Sequence, residues 1–286
     1  MAGLIFYVNG RFMPEGQASI SVFDLGLLRG YGVFDYTITY NGEPFRWKDH
    51  YERLRNSANT VGIDLPWSNS ELGDLVRETL EKNPAGEKDI RIIVTGGASP
   101  DTFTPADTPT LIIIVRPMRI FPKEFFTEGI KVITFPGKRE IPQAKTVNYL
   151  HAVQALKRAR QEGATEALYT YDGVVSECMA CNFFAVKDNR IITAGKDVLD
   201  GITRKTILEV VRGKIPVDYR FVKTEEVASL DEAFLTSSAH EVMPIVTIDQ
   251  TKIGNGKPGP TTRQVMELFD EYVGKGRSLW RRTTAS

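Results

Sequence analysis

Two Asn-Gly dipeptides, at 9–10 and 41–42, each interrupt a run of strand-forming residues. Such a pair supplies the positive φ angles of a two-residue hairpin turn. The N-terminal third must therefore hold antiparallel strands, 4–8 with 11–13 and 33–40 with 43–45. Between the hairpins, 21–32 contains three glycines and reads as a loop or short helix. Trp47, Tyr51, Leu54, Ala58 and Val61 then recur at helical spacing and give one apolar face. Ser68 or Ser70 can cap a second helix that runs to about Lys82. Two apolar runs, 90–95 and 111–115, read as buried strands. The Gly-, Pro- and Thr-rich segment between them is long enough for a lid or a recognition element.

The remainder opens with a strand at 131–135, stopped by Pro136. Helices are expected at 148–162 and 203–213, strands at 166–170, 182–186, 233–235 and 242–248, and a closing helix at 260–273. These strands outnumber what an alternating βαβ chain needs, so mixed sheets are expected, an α/β chain of mixed α+β type. A chain of 286 residues has room for two domains. A linker at 119–124 would divide a small N-terminal α/β domain, 1–118, from a larger C-terminal domain, 125–286.

Composition excludes several classes. Lys and Arg number 36, as do Asp and Glu, so no overall basic excess suits nucleic acid or an anionic membrane. The start lacks a basic, then apolar, leader pattern, and the longest apolar run is far too short to span a bilayer. Two cysteines, Cys178 and Cys181, make no disulfide framework and suit a cytoplasmic setting. Their C-x-x-C spacing lacks a second ligand pair, since His50, His151 and His240 are not spaced as partners, so no metal is expected. The basic tail 274–286 reads as a solvated or partner-facing end.

Three features carry possible chemistry. Lys145, in AKTVNYLHAV, precedes a helical segment among apolar neighbours, where desolvation favours the neutral, nucleophilic amine. Glu177, in DGVVSECMACNFFAV, could hold a pyridine nitrogen protonated. Arg53, on the polar flank of the first helix, the helix start Gly201-Ile202-Thr203, and Ser237 and Ser238 could hold a phosphate. Taken one at a time, each reads more readily as an ordinary solvated residue.

Their order and wording carry a resemblance. H-x-x-R-L at 50–54, K-x-x-N-Y-L at 145–150, S-E-x-x-x-x-N-x-F at 176–184, G-I-T-R at 201–204 and G-x-x-G-P-x-T at 256–262 span nearly the whole chain. The chain resembles the fold type IV pyridoxal-phosphate enzymes: branched-chain aminotransferases, D-amino acid aminotransferases and aminodeoxychorismate lyases. The resemblance implies a small α/β domain and a larger cofactor-binding domain built on a pseudo-barrel mixed sheet. It implies a homodimer with its active site at the domain interface, and pyridoxal 5'-phosphate as cofactor. By position, Lys145 matches the lysine that joins the cofactor aldehyde and shuttles the proton. Arg53, Ile202, Thr203 and Ser238 match phosphate ligands, Glu177 the partner of the ring nitrogen, and Tyr149 the tyrosine that bonds the ring hydroxyl. The implied reaction is a ping-pong amino exchange between an amino acid and a keto acid.

Substrate choice follows from departures. Asp101-Thr102-Phe103 stands where D-amino acid enzymes carry an R-x-H carboxylate trap, and Phe34 replaces a substrate-holding tyrosine. Asn148-Tyr149 stands where lyases read N-R. Arg29 and Arg91 remain as planar, bidentate carboxylate donors. The pair resembles a divergent group of D-amino acid transaminases, so D-alanine or D-glutamate, with 2-oxoglutarate or pyruvate as acceptor, is the expected substrate class. An L-branched-chain aminotransferase is the alternative, favoured by the N-Y-L wording. A lyase or a non-catalytic relative is further off.

Overall fold

The computed structural model describes residues 3–284; the extreme ends of the expected domain ranges and the last two residues of the basic tail lie outside it. The strands are β1 Ile5–Val8, β2 Arg11–Pro14, β3 Gly32–Tyr40, β4 Glu43–Pro44, β5 Lys88–Thr95, β6 Thr110–Pro117, β7 Ile130–Pro136 and β8 Glu166–Tyr171. They continue with β9 Val174–Cys178, β10 Asn182–Lys187, β11 Arg190–Thr193, β12 Val217–Tyr219, β13 Val222–Lys223, β14 Glu232–Ser237, β15 Glu241–Ile248 and β16 Thr251–Lys252. The α-helices are α1 Leu25–Arg29, α2 Trp47–Val61, α3 Asn69–Glu81, α4 Glu124–Thr127, α5 Leu150–Gln161, α6 Ile202–Val210, α7 Pro260–Val273 and α8 Leu279–Thr284.

The chain forms two compact units. The first comprises 1–119 and, after an excursion, 143–149; the second comprises 120–142 and 150–286. Lys145 and Tyr149, expected within a continuous C-terminal domain, thus cluster with the first unit.

In the first unit six strands lie in the order β2-β1-β6-β5-β3-β4. Both Asn-Gly pairs make their turns, with Asn9 and Asn41 at positive φ. Strand periodicity then sorts the faces. Ile90, Ile92 and Val94 of β5 pack with Val33 of β3 against Leu54 and Ala58 of α2 and Leu72 and Val76 of α3. Asp89, Arg91 and Ile93 therefore point to the opposite face, in register with Ile38, Tyr36 and Phe34. Helix α3 starts on a capping box: Glu71 N–H donates to Ser68 Oγ, and Ser68 N–H to Glu71 Oε2. Such a cap contributes about 1 kcal/mol. Segment 143–149 lies along the start of β3, where Phe34 N–H donates to Lys145 O and Val147 N–H to Gly32 O, each at 2.9 Å.

The second unit is a ten-stranded mixed sheet. Its path runs β12-β11-β10-β14-β15-β7-β8-β9-β13, with β16 on β15. Strands β9 and β10 are five steps apart in that path, yet only residues 179–181 join them. Three residues reach roughly 10 Å, whereas five strand spacings of about 4.8 Å would demand more than twice that in a flat sheet. The sheet must curl into a half-barrel. Ala155 and Ala159 bring α5 close onto Ile133 of β7 and Ala167 of β8, as a parallel β7-β8 crossover requires.

One motif gains a structural role and one expectation changes. The G-x-x-G-P-x-T motif caps α7: Thr261 and Thr262 N–H donate to the Glu232 carboxylate at 2.9 and 2.6 Å. A side chain at Gly259 would fall on that carboxylate. The tail, expected as a solvated or partner-facing end, forms α8. Leu279 is buried and its N–H donates to Glu241 at 2.7 Å, while Asp270 takes Ser278 N–H and Oγ–H.

Candidate active site

The first unit gathers Lys145, Phe34, Tyr149, Arg91 and Arg53. Lys145 is 8% exposed, with Nζ 4.7 Å from the centroid of the Phe34 ring. Arg91 Cζ stands 5.3 Å from the same centroid and 5.7 Å from that of Tyr36. Tyr149 meets the Phe34 ring edge to face at 5.5 Å. One phenyl ring is thus the common neighbour of the amine, a guanidinium and a phenol. Cation–π contact of this kind holds a guanidinium without using up its N–H donors.

Arg53 is not on a polar flank. It is buried, with Nε 2.8 Å from Asp35 Oδ2 and Nη2 2.9 Å from Oδ1. Asp35 also contacts His50 Nδ1 at 2.6 Å and accepts Tyr36 N–H at 2.7 Å. Burial alone would raise the Asp35 pKa; the Arg53 charge and the hydrogen bonds from His50 and Arg53 outweigh it and hold the carboxyl well below the usual range. Burial lowers the His50 pKa against the pull of Asp35, so its ring is neutral and Nδ1 carries the proton. Sequence spacing gave no sign of Asp35, because its partners lie 15 and 18 residues away on another element.

Arg29 ends α1. Its Cζ lies 4.2 Å from the Phe103 centroid, and Nη2 is 3.4 Å from Thr102 Oγ1. The 96–110 segment is ordered at that point by Asp101, which accepts from Phe103 N–H, Thr104 N–H, Thr104 Oγ and Ser99 Oγ. Asp101 is engaged within its own turn rather than with Arg91.

The second unit gathers Glu177, Ile202, Thr203 and Ser238. Glu177, on β9, is 2% exposed and accepts Leu199 N–H at 3.3 Å. Arg139, which sequence reasoning missed, places Nε 3.0 Å from Glu177 Oε1 and donates through Nη2 to Met179 O. Asn182 Nδ2 donates to Leu199 O at 2.8 Å. Residue 199 is thereby pinned on both sides just before α6. That helix has no side-chain cap at Gly201, so its first-turn N–H groups are available to an anion. A side chain at Gly201 would collide with Asn182 Oδ1. Ile202 and Thr203 are buried, and Ser238 lies half-buried in the turn after β14. Ser237, the neighbouring candidate, is engaged with His240, its Oγ 2.9 Å from Nδ1.

Cys181 Sγ lies 3.4 Å from His240 Nδ1 and 3.6 Å from Glu166 Oε2. Burial, then Cys181, pushes the Glu166 carboxyl well up. Among the described residues no group of three or more His, Cys, Asp or Glu is arranged to hold a metal ion. No helix there is long and apolar enough to cross a membrane.

The donor set fits a phosphorylated pyridine aldehyde. The first unit offers a buried primary amine and a buried arginine, and the second offers an uncapped helix start and a buried carboxylate suited to a ring nitrogen. The fold and these residues define a fold type IV aminotransferase. The amino-transferase class IV profile matches residues 32–248, and the chain belongs to that family. Aminotransferases of this class use pyridoxal phosphate. The chain is 34% identical over 285 residues to a putative branched-chain-amino-acid aminotransferase of Methanocaldococcus jannaschii, covering 96% of each. It is 32% identical over 273 residues to a D-alanine aminotransferase of Staphylococcus epidermidis, covering 93% of this chain and 97% of that one. Among solved structures, the branched-chain aminotransferase of Thermoproteus uzoniensis with norvaline superposes with a TM-score of 0.83 at 27% identity, covering 94% of each chain.

Proposed function

We propose that the chain transfers the amino group of a D-amino acid, such as D-alanine or D-glutamate, to 2-oxoglutarate or pyruvate. The observation that carries this reading is the Phe34 ring, which has Lys145 Nζ and the Arg91 guanidinium as neighbours at once. An amino acid brings one amino group and at least one carboxylate to the site. An amine and a guanidinium around one ring suit that pair of groups. Arg29, stacked on Phe103, is the second carboxylate donor. The D-alanine aminotransferase relatives support the same hand.

Bound pyridoxal phosphate supplies an aldehyde that captures amines and a ring that withdraws electrons from the substrate α-carbon. Arg53, the N–H groups of Ile202 and Thr203, and the Ser238 hydroxyl bind its phosphate. Glu177 accepts a hydrogen bond from its protonated ring nitrogen, with Arg139 orienting the carboxylate. Tyr149 bonds the ring hydroxyl. Lys145 Nζ takes the proton from the substrate α-carbon and returns it on the far side of the transfer; a base so placed contributes about 10²–10⁴-fold.

The second reading is an L-branched-chain aminotransferase. Tyr149 against Phe34 and the branched-chain relatives favour it. Incubation with D-alanine or D-glutamate, and separately with L-leucine, each with 2-oxoglutarate or pyruvate, distinguishes the two. Strict L-turnover removes the D assignment and leaves the cofactor assignment standing. Sustained turnover by Lys145→Ala would overturn the role of the lysine.

The reading includes a homodimer in the cytoplasm. Val22, Phe23, Leu27 and Phe103 are exposed large apolar side chains on neighbouring segments, joined by the Asp24–Ala98 bridge, and suit burial by a second copy. Two unpaired thiols suit a reducing compartment.

A further inference from the structure

One hydroxyl in the first unit bridges the main chains of the two residues assigned to the cofactor. Ser57 is fully buried on α2. Its Oγ donates to Arg53 O at 2.8 Å and accepts Lys145 N–H at 3.0 Å. A serine hydroxyl has one proton. With that proton committed to the Arg53 carbonyl, the lone pairs are left for Lys145, and the orientation of the bridge is fixed. The bond to Arg53 alone would be an ordinary helical back-bond. Such a back-bond does not account for the second contact, to a residue 88 positions away.

The other two main-chain bonds at this place, Phe34 N–H to Lys145 O and Val147 N–H to Gly32 O, hold the segment from its C-terminal side. Ser57 holds the N-terminal side, through a side chain. Behind Arg53, the Asp35 carboxylate receives Arg53 Nε and Nη2, His50 Nδ1 and Tyr36 N–H, so its plane cannot turn. His50 Nε2 is buried with no hydrogen-bond partner. The hydrogen bond of this ring is thus the one to Asp35, which is what a group retained to hold a carboxylate would show.

We propose that Ser57 is a positioning residue for Lys145, and Asp35 with His50 a positioning pair for Arg53. The hydrogen-bonded path from Asp35 through Arg53 and Ser57 to Lys145 ties the main chain that carries the amine to the main chain that carries the guanidinium. The inference rests on the reading of Lys145 as the cofactor lysine and Arg53 as a phosphate ligand.

Two probes separate the roles: pyridoxal phosphate, and pyridoxine 5'-phosphate, which carries the phosphate but no aldehyde. Ser57→Ala is expected to bind pyridoxine phosphate as the unaltered protein does. It should lose about 10- to 100-fold in kcat, the scale of a small misplacement of a reacting group, and shift the pH midpoint of the bound cofactor's visible absorbance. Ser57→Thr, which keeps the hydroxyl, should restore both. Asp35→Asn should weaken both probes by about 10-fold or more. If that variant does not fold, His50→Gln carries the arm, with a smaller loss for both probes. Unaltered kcat and absorbance titration in Ser57→Ala overturn the Ser57 role, as does an equal loss of both probes. Unaltered pyridoxine phosphate affinity in the folded Asp35→Asn or His50→Gln protein overturns the pair. Borohydride reduction of the loaded wild-type protein tests the underlying reading separately, because a label on a lysine other than Lys145 removes that reading whatever the variants do.

Discussion

Arg139 lies with Nε 3.0 Å from Oε1 of Glu177, and both side chains are largely withdrawn from water. The Nη2 bond to Met179 O sets the guanidinium plane. Removing the cation leaves a buried carboxylate uncompensated, at about 3 kcal/mol. Arg139→Met should therefore lower the urea midpoint by that equivalent, and Arg139→Met with Glu177→Gln should recover much of it. Additive losses in the double variant would show that the two side chains do not interact.

The Asp35–His50 pair sets an acid limit. The folded pKa of Asp35 lies below its unfolded value of about 3.9, so its stabilisation is present above that pH and disappears as pH falls through the folded value. The folded pKa of His50 is also depressed, so the unfolded chain takes up the proton first as pH drops below about 6.5. Both slopes run the same way. Stability should fall in two stages on acidification, and His50→Gln should remove the upper one. Urea midpoints between pH 4 and 8 that are parallel in wild type and His50→Gln would contradict this.

Arg29→Ala and Arg91→Ala should each reduce kcat/KM for the amino donor by about 10-fold or more, the loss of a charge-assisted carboxylate contact. Pyridoxal phosphate affinity, measured by titrating the apoprotein, should stay within about 2-fold, because neither side chain touches Asp35, Arg53 or Ser57 in the bonds described. Parallel loss of cofactor and substrate binding would reassign them as structural.

Gly259→Ala tests the α7 cap. The backbone there has an ordinary φ of −82°, so an alanine meets no conformational barrier, only the Glu232 carboxylate. Displacing it from Thr261 and Thr262 should cost about 1–3 kcal/mol, seen as a lower thermal midpoint with unchanged turnover per folded molecule. An unchanged midpoint would mean the loop yields freely.

What could be read from the sequence was local. Helix α2 follows from five apolar residues at helical spacing, α3 from its Ser68–Glu71 box, and both early hairpins from their Asn-Gly turns. The motif residues Lys145, Glu177 and Arg53 were legible by wording, but their surroundings were not. Asp35 reaches Arg53 across a strand–helix packing, Ser57 reaches Lys145 across 88 residues, and Arg139 reaches Glu177 across the sheet. No periodicity encodes such pairings. The short strands β9, β11, β12 and β13 escaped for a related reason: they are two to five residues long and take their stability from neighbours in the curled sheet. The basic composition of the tail gave no sign of Leu279 and Ser278, which are buried and anchor α8.

The path of the backbone constrains how such a protein can be divided. A gene cut after codon 119 would give a first fragment that still encodes β3 but not the seven residues, 143–149, that lie along its start. Lys145 would travel with the other fragment. Halves exchanged between relatives at that point would mate one parent's strand with the other's lysine segment, so recombination is expected to succeed only where Gly32–Phe34 and 143–149 are inherited together.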